Sequence, residues 1–130
     1  MMRALDPKGI HAPFSAYSAG VEVPPGWRLV ACSGQLGIAA DGTIPEGAEA
    51  QTALALANLE AILAEAGMSR ADVVRLNAYV TDRAHLPGYM TARNAFFEAV
   101  SPPPASTLMI VSGFARPEFV VEVECLAAAP

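Results

Sequence analysis

The spacing of apolar residues changes abruptly near the middle of this chain, and that change restricts the fold more than any other feature. From about Glu46 to Ala66, Ala53, Leu56, Leu59, Leu63 and Ala66 recur at steps of three and four, the stripe of an amphipathic helix. Glu46 and Glu49 suit the positive end of the helix dipole, and Gly67 is the expected stop. From Val73 to Thr81 the period falls to two. Val74, Leu76, Ala78 and Val80 alternate there with Arg75, Asn77 and Tyr79, as on a strand with one buried face. A helix with one apolar stripe and a strand with one apolar face bury those surfaces against each other, which predicts helices layered on a sheet.

Elements of both kinds flank this pair. Phe14 to Val21 alternates weakly and reads as a first strand. Pro24-Pro25-Gly26 is a turn, and Arg28 to Ser33 a second strand ended by Gly34. Asp41-Gly42, between Ile38 and Ile44, marks a tight turn. A second helix begins near Leu86 with Pro87 in its first turn. Leu86, Tyr89, Met90, Arg93, Phe97 and Val100 share one of its faces, and the run Pro102 to Pro104 ends it. Ser106 to Val111 and Phe119 to Leu126 are the last strands. In the latter, Glu122 and Glu124 point to one face and Val121, Val123 and Cys125 to the other. The order is ββαβαββ in a single domain, residues 1–130, which is an α+β chain with two helices on one face of a mixed sheet.

Apolar residues make up 53% of the 130, and the mean hydropathy is +0.35. A domain this small leaves a large share of its surface in water when alone. The apolar surplus therefore predicts a homo-oligomer in which a second copy covers the open sheet face. No apolar run approaches the roughly 18 residues of a spanning helix. Met1 to Phe14, with Asp6, Lys8, His11 and two prolines, does not read as a signal peptide, so the expected compartment is the cytoplasm. Net charge is −5, and Lys8 is the one lysine among scattered arginines. Phosphate recognition needs clustered cations, so no nucleic-acid partner is expected. Cys32 and Cys125 lie in apolar strands, far in sequence from both histidines and without a C-x-x-C. They read as buried reduced thiols rather than a metal pair or a disulfide.

Several short motifs, in order, resemble the Rid/YjgF family of reactive intermediate deaminases, also labelled L-PSP endoribonucleases. They are Tyr17; Ser33-Gly34-Gln35; Asn58-Leu59; Gly67 with Asp72-Val73-Val74; Tyr79-Val80-Thr81-Asp82; Asn94 with Phe97; Pro103 with Ser106-Thr107; and Val121-Glu122-Val123-Glu124. The resemblance spans about Ala12 to Ala127. It implies a homotrimer with a chorismate-mutase-like (YjgF/L-PSP) fold and ligand clefts between subunits. It also implies hydrolysis of small imines or enamines to a keto acid and ammonia, with no metal or cofactor.

By the same resemblance, Glu122 handles the water, and Tyr17, Ser33, Asn94, Ala105 and Thr107 line the cleft. One position departs from the pattern. The family's arginine, which clamps a substrate carboxylate, falls on Ala105, so the bidentate fork is missing there. The resemblance therefore implies an altered substrate. Arg93, on the inner face of the second helix, and Arg116, in a loop, are the conceivable substitutes, with a surface ion pair or a snorkelling side chain as the plainer reading of each.

Taken as residues alone, Glu122 on a strand can position and deprotonate a water for attack on a protonated imine. The plainer reading makes Glu122 and Glu124 the polar face of the last strand, and Glu124 is assigned to structure. Tyr17 also suits interface packing. Ser33 before Gly34 suits either an anion-accepting turn or an ordinary turn serine. Three functions compete: a cofactor-independent hydrolase with a changed substrate, a non-catalytic small-metabolite binder using the same cleft, and a ribonuclease. The acidic charge disfavours the last.

Overall fold

The computed structural model describes all 130 residues. Its elements are β1 (Arg3–Leu5), β2 (Gly20–Glu22), β3 (Arg28–Leu36), α1 (Ala48–Glu65), β4 (Val73–Val80), α2 (Leu86–Phe96), β5 (Ala105–Ile110) and β6 (Val121–Ala129). Short 3-10 turns precede β4 and α2. Strands β3-β6-β4-β5 form one mixed sheet in that order. Strand β4 pairs with β5 in parallel, and α2 makes the crossover between them. Strand β6 runs antiparallel between β3 and β4. This is the α+β arrangement read from the alternating periods.

The chain start departs from the expectation. Residues 14 to 18 form no strand; the short strands β1 and β2 pair instead as a separate ribbon. Ser18 alone bridges to Ala105, with its N–H on the Pro104 carbonyl at 3.2 Å and its hydroxyl donating to Pro103 at 2.6 Å. The Asp41-Gly42 turn is present without flanking strands: Gly42 takes φ 88°, and the Ala39 and Thr43 backbones close it.

Leu56, Leu59 and Leu63 of α1 and Tyr89 and Phe97 of the α2 region pack on Leu76, Ala78, Val80, Val121, Val123 and Cys125 of the sheet. Fully burying each Leu or Val side chain is worth about 1.5–3 kcal/mol, so this layer dominates stability. The helix stripe is rotated from the one predicted. Ala53 is exposed, while Gln51 and Thr52 are buried. Gln51 satisfies its amide by donating to the Pro45 and Glu118 carbonyls at 3.1 and 2.8 Å and accepting from the Val120 N–H at 3.0 Å. Gly37 allows this approach: a Cβ there would lie 2.6 Å from Gln51 Cα.

The opposite sheet face carries no helix. On it Leu29, Leu126 and Met109 are exposed beside the polar residues of β4 and β6. Cys32 and Cys125 are buried, unbonded and directly paired across β3 and β6. Burial, reinforced by Cys32, pushes the Cys125 thiol up to about 12.

Candidate functional site

The register of β6 places Glu122 on the open sheet face, opposite Leu36 of β3 and Tyr79 of β4. Strand β3 is irregular between Cys32 and Gln35, and Gly34 of that bulge lies beside the Glu122 carboxylate. A Cβ on residue 34 would lie 2.8 Å from Glu122 Cδ and 3.0 Å from Oε2. The missing side chain is therefore what makes room for the carboxylate. Glu124, one pleat along, accepts from the Tyr79 hydroxyl at 2.5 Å and the Asn77 amide at 3.4 Å. Those bonds commit Glu124 to structure and occupy the Tyr79 hydroxyl. The bond to Glu124, aided by burial and by the charges of both glutamates, raises the pKa of Tyr79.

At the other edge, Ala105 and Thr107 face the same side, in register with Arg75 and Asn77. The Arg75 guanidinium donates to Asn77 Oδ1 at 2.8 Å and to Thr107 Oγ1 at 2.5 Å. A guanidinium thus does lie beside Ala105, supplied by the neighbouring strand. Sequence reading placed Arg75 on the polar face of its strand but gave it no role, because the parallel pairing of β4 with β5 is set by a long-range crossover.

Tyr17 lies on the helix side of β5. With Phe14, Ser15, Tyr89, Arg93 and Ser106, it borders a cavity of about 530 Å³ between the 14–17 segment, α2 and β5. Its hydroxyl accepts from the Phe14 N–H at 3.3 Å. Asn94 is exposed and does not border this cavity; its Oδ1 accepts weakly from Arg93 at 3.4 Å. The two substitute arginines separate clearly. Arg116 is a surface partner of Glu118 at 2.9 Å. Arg93 is 1% exposed, so neither a surface ion pair nor a snorkelling side chain describes it.

Within one chain the expected site residues therefore fall into separate groups. Glu122 lies against Gly34 at the β3–β6 seam, with Ser33 next to Gly34 in the bulge. Ala105 and Thr107 lie two strands from Glu122, about 10 Å across at the usual strand spacing. Tyr17 lies behind β5, and Asn94 stands apart. No group of three or more His, Cys, Asp or Glu side chains is placed to hold a metal ion.

These features define a class: a small α+β protein with two helices on a mixed sheet and a partly polar, uncovered sheet face. The comparisons with known proteins narrow it. The family described as Endoribonuclease L-PSP matches residues 9–129, and the chain belongs to that family. It is 33% identical over 105 residues to a RutC family protein of Aquifex aeolicus, covering 80% of this chain and 82% of that one. It is 31% identical over 121 residues to the RutC family protein YjgH of Escherichia coli, covering 92% and 91%. Among solved structures it resembles the Rid-family protein YyfB of Yersinia pestis, with a TM-score of 0.84, 32% identity and 98% of each chain covered. RidA from a Psychrobacter species superposes with a TM-score of 0.71 at 30% identity, covering 91% of this chain and 92% of that one.

Proposed function

We propose that this protein is a cofactor-independent hydrolase of a small imine or enamine, acting in clefts between the subunits of a homotrimer. The observation that carries this reading is the Glu122 carboxylate, seated over Gly34 while Glu124 takes the Tyr79 hydroxyl. Such a carboxylate can accept a proton from water as the oxygen adds to the protonated C=N carbon. The product is a carbinolamine. Transfer of the proton to its nitrogen lets the C–N bond break as the hydroxyl gives its own proton to the freed carboxylate, leaving a carbonyl compound and ammonia. An enamine enters the same path after protonation at carbon. The separation of Glu122 from Thr107 and Ala105 supports a cleft completed by a second copy, and exposed Leu29, Leu126 and Met109 supply an apolar surface for it.

The missing arginine at position 105 favours a substrate other than a plain 2-imino acid, or a second reading as a non-catalytic binder. A ribonuclease is disfavoured by the net charge of −5 and by the pairing of Arg3, Arg70 and Arg116 with glutamates. The test generates imines in situ from a panel of amino acids and amines with an oxidase. Unreacted imine is then trapped with semicarbazide. Wild-type turnover that falls at least a hundredfold in Glu122→Gln, with assembly size unchanged, is the expected result. Equal turnover by the two proteins would overturn the role of Glu122. No turnover of any imine would leave the binding module as the better reading.

A further inference from the structure

The chain has two cysteines, Cys32 and Cys125, which stand far apart in sequence and meet in the fold. They are register partners on the antiparallel strands β3 and β6, so both side chains leave the same face of the sheet. That face is the buried one. Both belong to the core beneath α1, with Cys32 7% exposed and Cys125 3%. Residues directly opposite on antiparallel strands have Cα atoms about 4.5–5.5 Å apart, inside the roughly 4.4–6.8 Å that a disulfide spans. Their Cβ atoms must approach by about 1 Å to reach the usual disulfide separation. Strand β3 is an edge strand, and its register shifts just past Cys32, so it is free to make that approach. The thiols already interact: the charge of Cys32 and its hydrogen bond add to burial in raising the pKa of Cys125. Neither thiol belongs to the open face that carries Glu122.

We propose that Cys32 and Cys125 form an oxidation site, which hydrogen peroxide converts reversibly to one cross-strand disulfide fastening β3 to β6. A small uncharged oxidant suits so buried a pair. Cys32, on the edge strand and the more exposed of the two, meets it first. Its sulfur gives an electron pair to one peroxide oxygen. The S–O bond forms, the O–O bond breaks, and the departing hydroxide takes the thiol proton as water, leaving a sulfenic acid. The Cys125 sulfur then attacks the Cys32 sulfur. The S–S bond forms, the S–OH bond breaks, and the hydroxide leaves with the Cys125 proton as a second water. The sulfurs together lose two electrons, and the peroxide gains them. Burial keeps the Cys125 thiol protonated until that step, which suits it to resolve rather than to attack. A small thiol reverses the bond by exchange. With no third cysteine in the chain, one intrachain product is possible. It closes most of the chain into a single loop, and closing a long loop restrains the unfolded state most. The inference stands without the hydrolase reading, because both thiols lie on the core face.

The test treats the full chain, reduced and freed of reductant, with hydrogen peroxide under native conditions. Its intact mass should fall by two hydrogens with no oxygen added. A digest without reductant should hold a peptide linking Cys32 to Cys125, and dithiothreitol should restore both thiols. The oxidised form should melt at least about 5 °C above the reduced one. Cys32→Ala and Cys125→Ala should each lose the two-hydrogen change. Peroxide should instead add oxygen to the thiol that remains, faster in Cys125→Ala, where Cys32 is left, than in Cys32→Ala. The wild-type mass, digest and melting arms do not depend on either variant. Thiols that stay free in excess peroxide, oxygen added to wild type without a linked peptide, a link that forms only in urea, or equal melting of the two forms would overturn the proposal. Oxygen uptake no faster in Cys125→Ala would overturn the order of attack.

Discussion

Replacing Gln51 by methionine keeps the length of the side chain and removes its amide. Three hydrogen bonds disappear: those donated to the Pro45 and Glu118 carbonyls and that accepted from the Val120 N–H. Each neutral bond contributes about 0.5–1.5 kcal/mol net. Glu118 is exposed and Pro45 and Val120 are half-buried, so water can replace part of that bonding. The thioether also gains a little from burial. The expected loss is about 1–3 kcal/mol. Urea unfolding followed by circular dichroism, at one fixed protein concentration so that any self-association is held constant, measures it. With a denaturant slope of about 2 kcal/mol per molar, the midpoint should fall by about 0.5–1.5 M. A fall below about 0.3 M at unchanged slope would refute the reasoning. It would mean that Gln51 does not hold the segment leading into β6.

Gly34→Ala should push the Glu122 carboxylate aside by several tenths of an ångström, since its Cβ would sit 2.8 Å from Cδ. Imine turnover should drop about tenfold or more, because misplacing a catalytic group is costly, with little change in melting temperature; unchanged turnover would count against Glu122. Cys125, whose thiol is pushed up to about 12 from 9.0, stays neutral in the folded chain while an unfolded one ionises. Its contribution to stability is present below pH 9 and is lost as pH rises toward 12, so Cys125→Ala should flatten the alkaline decline of wild-type stability. The Glu60 carboxyl is held below its usual 4.5 by its hydrogen bonds from Arg70. That contribution is present above pH 4.5 and fades as pH falls through the lowered value, so the gap between wild type and Glu60→Gln in acid titrations should close there.

The layering was legible because it follows from periods. Val74 to Val80 and Val121 to Cys125 alternate as strands must, and the face of α2 carrying Leu86, Tyr89, Met90 and Phe97 packs as its spacing requires. The rotation of α1 was not legible, because its buried face includes Gln51 and Thr52, whose polarity argues for solvent until their partners are known. The residues about Phe14 to Ser18 misled for a related reason. Their alternation suits a strand, but they are held by side-chain and carbonyl bonds to Arg93 and Pro103, contacts made across 77 and 85 residues of chain. Glu122 and Gly34 are adjacent in space because β3 bulges between Cys32 and Gln35. The burial of Arg93 could not be read from charge, since an arginine on an inner helix face ordinarily snorkels.

Glu122 and Thr107 lie on one sheet face but two strands apart, and this has a genetic consequence. If each cleft joins the Glu122 edge of one copy to the Thr107 edge of the next, a lesion at either edge disables a different half of the cleft. Two strains, one carrying Glu122→Gln and the other a bulky residue at Thr107, would each lack function. Co-expressed at equal dose, they would reconstitute roughly a quarter of their clefts with both halves intact. Intragenic complementation is then an inherited property of where two strands happen to fall in the sheet.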